Sequence, residues 1–298
     1  MQQVALGNSG IQVSRLSFGT AFMGPLSDHL SAQEGAALLL QALDHDISFW
    51  DTSEDYGTHP HVACALRRIR REQVIVASKL REPGTTVEQV LDELGTAYLD
   101  ILFLHEVGLA QIDVAREMVC AWQEEKDRGH VRAVGVSTHS VQVIRLAAEW
   151  PEVDVLMVPI NATGVCTSDS SIEDGDVDQM LGATRQAWTA GKGIVAMKVM
   201  GCGPWWIVQG KPSLLPPACP MYTACALACG VGLRSSRTLS CWRWHRETDG
   251  GPSKTTLLGN RAPHTDTMSP GSRPTSWTVV QLAPMFLRRL RRICSAGY

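Results

Sequence analysis

The stretch Ile101-Leu102-Phe103-Leu104-His105 is a run of four apolar residues that ends on a polar one, and this pattern recurs along the chain. Continuous apolar runs are typical of parallel strands that are buried on both faces. Five further runs share the pattern: residues 47–50 before Asp51, 74–78 before Lys79, 131–136 before Ser137, 153–160 before Asn161 and 193–197 before Lys198. The six polar residues follow one another at intervals of 24 to 37 residues, which leaves room for one strand, one helix and two loops.

The segments between these runs have the pattern of amphipathic helices. Ser31 and Glu34 form a predicted capping box before one helix, and Thr85 and Glu88 form a second one. Further helices are predicted over residues 114–128, 139–150 and 177–190, with end signals at Gly129, Pro151 and Gly191. The chain therefore alternates strand and helix.

This alternation predicts an α/β fold, and two architectures fit it. With a first strand at residues 13–18, seven strand–helix units can be counted before residue 203, which is the organisation of a (β/α)8 TIM barrel. A doubly wound open sheet is the alternative, but it uses a G-x-G-x-x-G phosphate loop, and the chain contains none. We therefore predict a (β/α)8 barrel whose bottom is plugged by a hairpin at residues 4–16.

The composition is that of a globular protein. The 298 residues are 44% hydrophobic and 19% charged, which excludes a chain that is disordered throughout. The longest apolar runs fall far short of the roughly 18 residues that cross a bilayer, and no charged start precedes an apolar run. We therefore expect a cytoplasmic protein. The nine cysteines predict reduced thiols, and the spacing of Cys219, Cys225 and Cys229 fits no zinc or iron–sulfur motif, so no metal is predicted.

Residues 204–298 differ in character from the residues before them. They carry 12 Lys and Arg against 3 Asp and Glu, whereas residues 1–203 carry 15 against 27. No eighth strand and helix can be placed in this Trp-, Cys- and Pro-rich segment, which would leave two strand edges of the barrel unpaired. We predict a barrel over residues 1–203 and an atypical, partly disordered basic tail over residues 204–298, and we hypothesise that the tail is read in a shifted frame.

Four residues predict the chemistry. Asp51, Lys79 and His105 lie at successive strand ends, and Tyr56 follows in the loop after Asp51, so that a barrel would bring them to one mouth. A free tyrosine has a pKa near about 10, and a lysine ammonium beside it lowers that pKa. A carboxylate can hold the lysine, and an imidazole can orient a substrate oxygen. Each residue alone is equally consistent with a structural ion pair or a buried histidine, but the four together predict a proton donor aimed at a carbonyl.

Several motifs of residues 1–203 resemble those of the aldo-keto reductase family. LGNSG at residues 6–10 and FGT at residues 18–20 resemble the family's opening, and DTSEDYG at residues 51–57 resembles its Asp-to-Tyr-Gly signature. Lys79 and His105 stand at the expected intervals. GVS at 135–137 and PIN at 159–161 resemble the motifs that close the fifth and sixth strands, and AMK at 196–198 is similar to the bacterial oxidoreductase branch of the family.

The resemblance implies a barrel that reduces an aldehyde or ketone with NADPH, or with NADH, and without a metal. By matched position, Tyr56 would be the general acid, and Lys79 would lower its pKa. Asp51 would pair with Lys79, and His105 would orient the carbonyl of a small-molecule substrate. The implied cofactor-binding residues are Gly19, Thr20, Ala21, Asp51, Ser137, Asn161, Met197 and Lys198, of which Ser137 and Asn161 would hold the nicotinamide carboxamide.

The sequence departs from the family pattern in three places. Met157 stands in place of a glutamine on the sixth strand, and THPH at residues 58–61 replaces the usual helix start after the catalytic tyrosine. The basic residues that bind the adenosine phosphate in the family are not recognisable, and Arg234, Arg237 and Arg243 are candidate substitutes. The alternative function is therefore an inactive or unstable relative that has lost its cofactor with the eighth unit.

A third hypothesis is a nucleic-acid or membrane binder that acts through the basic tail. Such binding would depend steeply on salt concentration. The tail lacks an ordered pattern of basic and aromatic residues, so we predict neither a nucleic-acid nor a membrane partner. The sequence indicates no particular oligomeric state.

Overall fold

The computed structural model describes residues 1–25, 29–81, 84–161, 164 and 175–199, and the backbone of residues 224–228. The strands of this part are β1 (Gln3–Ala5), β2 (Gln12–Ser14), β3 (Leu16–Gly19), β4 (Phe49–Asp51), β5 (Ile75–Leu80), β6 (Leu99–Leu104), β7 (Val131–Ser137), β8 (Val155–Pro159), β9 (Gly193–Met197) and β10 (Ala224–Ala228). Its helices are α1 (Ala32–Asp44), α2 (His59–Leu66), α3 (Val87–Leu94), α4 (Ile112–Asp127), α5 (Val141–Ala148) and α6 (Val177–Thr189).

Eight of these strands form a closed barrel. They follow one another around the ring from β3 to β10, and β10 returns to β3. Every neighbouring pair is parallel, and a helix connects each strand from β3 to β8 with the next strand of the ring. This arrangement confirms the predicted (β/α)8 TIM barrel, in which the carboxyl ends of the strands share one mouth.

The strand that closes the ring lies where the sequence shows no recognisable eighth unit. The backbone of β10 pairs with β3, Cys225 opposite Leu16, and with β9, Ala224 opposite Val195. The expectation of two unpaired edges is therefore wrong, because a strand of five residues suffices to bridge them. The other tail residues lie outside the described part of the chain, and with them the candidate phosphate-binding arginines and the cysteines at 219 and 229.

The hairpin of β1 and β2 lies before the barrel, as predicted, with Val4 opposite Val13. The predicted first barrel strand over residues 13–18 is wrong at its start, since residues 12–14 belong to the hairpin. Ser14 explains the break. Its hydroxyl donates to the carbonyl of Leu16 at 2.6 Å and accepts the backbone N–H groups of Ser48 and Phe49 at 3.1 and 3.0 Å. This side chain turns the strand out of the hairpin and ties it to the start of β4.

The hairpin plugs the amino-terminal end of the barrel. Leu6, Ile11 and Val13 are fully buried and pack with inward-facing side chains of the barrel strands. Gly193, the first residue of β9, permits this contact, because a Cβ there would lie 2.6 Å from Cγ of Leu6. The predicted plug is therefore part of the barrel core.

The helix caps agree with the sequence at α1 and differ at α3. Ser31 and Glu34 form the predicted capping box of α1. At α3 the predicted pair, Thr85 and Glu88, is one residue too early, because Thr86 and Gln89 form the box. This register starts the helix at Val87 and buries its apolar face against the barrel, with Val87, Val90, Leu91 and Leu94 all buried. The predicted helices at 114–128, 139–150 and 177–190 correspond to α4, α5 and α6.

The helices pack on the outside of the barrel through one large apolar layer, which includes Trp50, Leu102 and Ile144. A second, smaller cluster fills the barrel itself and includes Phe49, Phe103 and Met157. None of the helices in the described ranges is long and apolar enough to cross a membrane.

We expect Leu6→Ala to lower the free energy of unfolding by about 2–5 kcal/mol, because it leaves a cavity between the hairpin and the barrel. Leu146→Ala is the matched control, since Leu146 is 40% exposed on α5. It should change the free energy of unfolding by less than about 1 kcal/mol. Urea denaturation followed by circular dichroism measures both. Equal losses in the two variants would contradict the plug.

Candidate active site

Three neighbouring strands bring Asp51, Lys79 and His105 together at the mouth. Asp51 is the last residue of β4, Lys79 lies one residue before the end of β5, and His105 directly follows β6. β5 pairs with both β4 and β6, so the three ends lie side by side. All three side chains are buried. The predicted convergence of these strand ends is therefore present.

Asp51 and Lys79 form a buried ion pair. Nζ of Lys79 donates to both carboxylate oxygens of Asp51 at 2.7 Å and to the carbonyl of Thr52 at 2.8 Å. These three acceptors match the three protons of an ammonium group. Burial acts to lower the pKa of Lys79, but the Asp51 carboxylate and Tyr56 raise it above its usual value. The lysine is therefore held as a cation at the mouth.

Tyr56 reaches this cation from the loop after β4. A short 3-10 helix over Glu54–Tyr56 carries it, and Gly57, at φ 62°, ends that helix in the left-handed region. The loop after β3 packs closely, because a Cβ on Gly24 would lie 2.5 Å from the carbonyl oxygen of Tyr56. Nζ of Lys79 lies 4.8 Å from the centroid of the tyrosine ring. The His105 ring stands edge-on to Tyr56, with the two centroids 5.8 Å apart.

Tyr56 keeps its proton at neutral pH. Burial raises the pKa of its phenol above the usual value, and the Lys79 ammonium acts in the opposite direction. The lysine thus stabilises the phenolate, as predicted, and by itself would lower the pKa of Tyr56. The net shift is nevertheless upward, because burial penalises the charged form more than one cation stabilises it.

His105 is neutral, and Asp55 and Ser53 contact its Nδ1 atom. Its Nδ1 lies 3.1 Å from Oδ2 of Asp55 and 3.3 Å from Oγ of Ser53. Burial, together with the neighbouring Lys79 ammonium, lowers the pKa of His105 to about 4. The imidazole therefore carries no charge at neutral pH.

Sequence reasoning missed a charged network beside the site, which we call the rim network: Glu54, Asp55, Arg81 and Glu106. The Arg81 side chain donates to Oδ2 of Asp55 at 2.9 Å and to Oε2 of Glu106 at 2.8 Å, and its backbone N–H donates to Glu54 at 2.8 Å. The acidic pair inside DTSEDYG was the only signal in the sequence. This acidic pair does not indicate its partner Arg81, because Arg81 directly follows another strand, β5.

The residues predicted to line the cofactor cleft from the first barrel strand lie at its end. Gly19 is the last residue of β3, and Ala21, which is half-buried, lies in the following loop. Thr20 is fully buried, and its hydroxyl is bonded to Oγ1 of Thr58 at 2.7 Å. Thr58 is also bonded to Oγ1 of Thr52 at 3.0 Å. The three threonines join the loops after β3 and β4.

The remaining predicted cofactor residues lie across the mouth from the ion pair. Ser137 ends β7, Asn161 follows β8, Met197 ends β9, and Lys198 comes directly after it. Ser137 and Asn161 are buried, and Lys198 has a left-handed φ of 53°. A hydroxyl and a side-chain amide together offer both donors and acceptors, which is the set that a carboxamide needs. The residues present therefore fit a nicotinamide group.

The departures from the family pattern are accommodated locally. His59 begins α2 with both ring nitrogens bonded, Nε2 to Oγ of Ser78 at 2.9 Å and Nδ1 to Oε2 of Glu93 at 2.5 Å. Met157 is buried in the cluster that fills the barrel. His59 is thus held by two hydrogen bonds, and Met157 by apolar packing.

The assembled site combines a protonated phenol, a neutral imidazole and a buried cation. A phenol that keeps its proton can donate a hydrogen bond to a substrate oxygen and then transfer the proton as negative charge develops there. The cation beside it stabilises the phenolate that remains. The arrangement can therefore protonate an oxygen atom at the mouth of the barrel.

A sequence model of the aldo/keto reductase family matches residues 15–204, well over half of the chain. The barrel is also similar to a solved aldo-keto reductase from Pseudomonas aeruginosa, with a TM-score of 0.59 and 23% identity over 80% of this chain and 92% of that one. This likeness shows the fold.

Two curated plant proteins are among the similar sequences. A probable aldo-keto reductase of Glycine max is 28% identical over 49% of this chain and 48% of its own length. The L-galactose dehydrogenase of Arabidopsis thaliana is 27% identical over 45% of this chain and 47% of its own length. The chain thus covers about half the length of these relatives.

We expect Asp51→Asn to lower the free energy of unfolding by about 3–5 kcal/mol, because it leaves the buried Lys79 ammonium without its carboxylate. The double variant with Lys79→Met should regain most of this loss, since no buried charge remains. Glu88→Gln, at an exposed carboxylate, serves as the control and should change little. Urea denaturation at pH 7 measures all three. A double variant no more stable than the single one would contradict the ion pair.

Proposed function

Because the chain belongs to the aldo/keto reductase family, we propose that it is a nicotinamide-dependent oxidoreductase that reduces an aldehyde or a ketone to an alcohol. The observation that supports this most is the contact of Tyr56 with the buried Asp51–Lys79 pair on one side and His105 on the other. These four residues come from three strand ends and one loop, and a purely structural ion pair would not need the tyrosine or the histidine.

In this proposal Tyr56 is the general acid. When bound, the reduced nicotinamide supplies the hydride that the carbonyl carbon accepts. The carbonyl oxygen takes the proton of the Tyr56 hydroxyl, which gives the alcohol and leaves a phenolate. The raised pKa of Tyr56 keeps the proton in place until the oxygen gains negative charge.

Lys79 and Asp51 act through Tyr56. The Lys79 ammonium lies 4.8 Å from the centre of the tyrosine ring and opposes the upward shift of its pKa. It therefore stabilises the phenolate that forms in the reaction. Asp51 holds the ammonium in place with two hydrogen bonds. His105, neutral and next to Tyr56, orients the oxygen of the substrate.

We propose NADPH as the cofactor, with NADH as the alternative. Ser137 and Asn161 would hold the nicotinamide carboxamide, and Met197 would contact the ring from the end of β9. Gly19, Thr20, Ala21, Asp51 and Lys198 complete the proposed cofactor-binding set. The substrate partner is a small carbonyl compound. The cytoplasmic location of the protein stays a prediction from the sequence.

The division at residue 203 and the frame-shift hypothesis also stay predictions. A shifted frame would explain why the charge balance reverses at this point of the chain. Translation of the nucleotide sequence in the other two frames tests it. We expect one of them to encode a strand followed by an amphipathic helix, and the absence of such a unit in both would contradict the hypothesis.

The proposed function is tested by titrating the purified full chain with NADPH and following nucleotide fluorescence, together with NADPH oxidation in a screen of aldehydes and ketones. We expect saturable binding in the micromolar range by the wild type and by Tyr56→Phe. Carbonyl reduction by Tyr56→Phe should fall about a hundred- to ten-thousand-fold, because phenylalanine has no proton to donate.

Tyr98→Phe is the matched control. Its ring contacts the Arg71 guanidinium, 4.2 Å from the centroid, and phenylalanine retains this contact. The control should bind NADPH and turn over like the wild type. A folded wild type that binds neither NADPH nor NADH would contradict the proposal and favour the inactive relative.

A further inference from the structure

His59 lies at the start of α2, in the THPH stretch that departs from the family pattern, and its ring joins three elements of the barrel wall. The residue is buried, with 3% of its surface exposed. Its Nε2 is hydrogen-bonded to Oγ of Ser78 on β5 at 2.9 Å, and its Nδ1 to Oε2 of Glu93 on α3 at 2.5 Å. Because both ring nitrogens have a partner, the imidazole is held in one orientation.

Ser78 lies on the outer face of β5, directly before Lys79 in the chain. Successive side chains of a strand point to opposite faces. Ala77 belongs to the cluster that fills the barrel, whereas Val76 and Leu80 belong to the apolar layer between the barrel and its helices. Ser78 shares the face of Val76 and Leu80. The histidine of α2 therefore contacts β5 from the helix side, at the residue next to the buried lysine.

The contacts of Ser78, His59 and Glu93 follow the order of a nucleophilic triad, in which a histidine joins a serine to a carboxylate. The hydroxyl of such a triad must face a substrate, but Ser78 is fully buried. The one exposed member is Glu93, whose side chain is 57% exposed. The three residues therefore hold structural elements together and do not form a nucleophile.

The segment that carries Tyr56 is joined to β5 on both sides of the tyrosine. Before it, the Glu54 carboxylate accepts the backbone N–H of Arg81 at 2.8 Å, in the exposed rim network. After it, His59 is bonded to Ser78 in a buried position. One of these contacts follows the catalytic lysine along β5 and the other precedes it. Because the second is shielded from water, water cannot replace it when it is lost.

The connection from His59 back to Tyr56 is short and is itself anchored. Two residues lie between them, and the second of these, Thr58, is bonded to Oγ1 of Thr52 at 3.0 Å. Nζ of Lys79 donates to the carbonyl of the same Thr52 at 2.8 Å. Because the connection has few rotatable bonds, a displacement of His59 also displaces the tyrosine relative to the lysine.

We propose that His59 is a positioning residue of the site: its bond to Ser78 holds the segment that carries Tyr56 against β5 and so sets the distance from the tyrosine ring to Nζ of Lys79. This distance is 4.8 Å to the ring centroid. It determines how strongly the cation stabilises the phenolate. The consequence for turnover rests on the proposed function, whereas the placement of the tyrosine does not.

Asparagine and glutamine separate the two bonds of His59. The amide of asparagine ends near the place of Nδ1, and that of glutamine near the place of Nε2. His59→Asn therefore keeps a bond to Glu93 and loses the one to Ser78, and His59→Gln does the reverse. Ser78→Ala removes the same bond from the other side. His61→Asn is the matched control, because His61 is also buried in α2 but is bonded to the carbonyl of Leu30, at 2.9 Å.

The placement of Tyr56 is measured by NMR of the full chain at pH 7, with tyrosine labelled with ¹³C at the ring carbon that bears the hydroxyl. The Tyr56 signal is assigned by its loss in Tyr56→Phe. We expect it to shift in His59→Asn and Ser78→Ala, because the ring moves relative to the Lys79 charge, and to keep its wild-type position in His59→Gln and His61→Asn. Ser78→Ala decides the test if His59→Asn does not fold. An unchanged signal in the first two variants, or an equal shift in all four, would overturn the proposal.

The effect on the reaction is measured as the rate of NADPH oxidation in a single turnover, which separates the chemical step from product release. With the most active carbonyl compound of the screen, this rate should fall about ten- to a hundredfold in His59→Asn and Ser78→Ala, since a small misplacement of the proton donor slows the reaction. The affinity for NADPH should stay that of the wild type, because neither residue belongs to the proposed cofactor-binding set. His59→Gln should retain the wild-type rate.

The two measurements separate the possible failures. A wild type that reduces no carbonyl overturns the proposed function and the consequence for turnover, while the NMR result still decides the placement of Tyr56. An unchanged rate in His59→Asn and Ser78→Ala, together with a shifted Tyr56 signal, overturns the role of His59 in the reaction while the proposed function stands. A loss of NADPH affinity as large as the loss of rate indicates a general loss of structure and overturns that role as well.

Discussion

The hydrogen bonds from Nζ of Lys79 to the Asp51 carboxylate connect the ends of β4 and β5, and the rest of the site is arranged around the charge they hold. A buried ammonium is unfavourable unless acceptors surround it, and here two carboxylate oxygens and the carbonyl of Thr52 do so. Because all three acceptors belong to the end of β4, the backbone of the barrel determines where the cation lies. This positive charge acts on the pKa values of both Tyr56 and His105.

Burial and this one charge together set the protonation of the mouth. Burial disfavours the charged form of every group, so it keeps the Tyr56 phenol protonated and the His105 imidazole neutral. The cation adds to the effect on His105 and opposes it on Tyr56. At neutral pH the site therefore has a proton donor and a neutral base next to each other, with the Lys79 cation available to stabilise a phenolate.

Several side chains and one glycine outside the four-residue site help to hold its loops and strand ends in place. The Ser14 hydroxyl separates the hairpin from the first barrel strand, and the Thr20, Thr52 and Thr58 hydroxyls join the loops after β3 and β4. Gly57 allows the left-handed turn that ends the helix carrying the tyrosine. Each of these features is short-range in the structure, yet most of them connect segments that are far apart in sequence, so they could not be anticipated from local patterns.

The sequence by itself determined the barrel and the four residues at its mouth, because apolar runs and the polar residues that end them are local features repeated along the chain. It did not reveal the pairing of β10 with β3 and β9, since the edges of two distant strands select that segment. Only the tertiary structure decided the direction of the Tyr56 pKa shift, because burial belongs to the folded chain. The same holds for the partners of His105, since Asp55, Arg81 and Glu106 meet only where three strand ends come together.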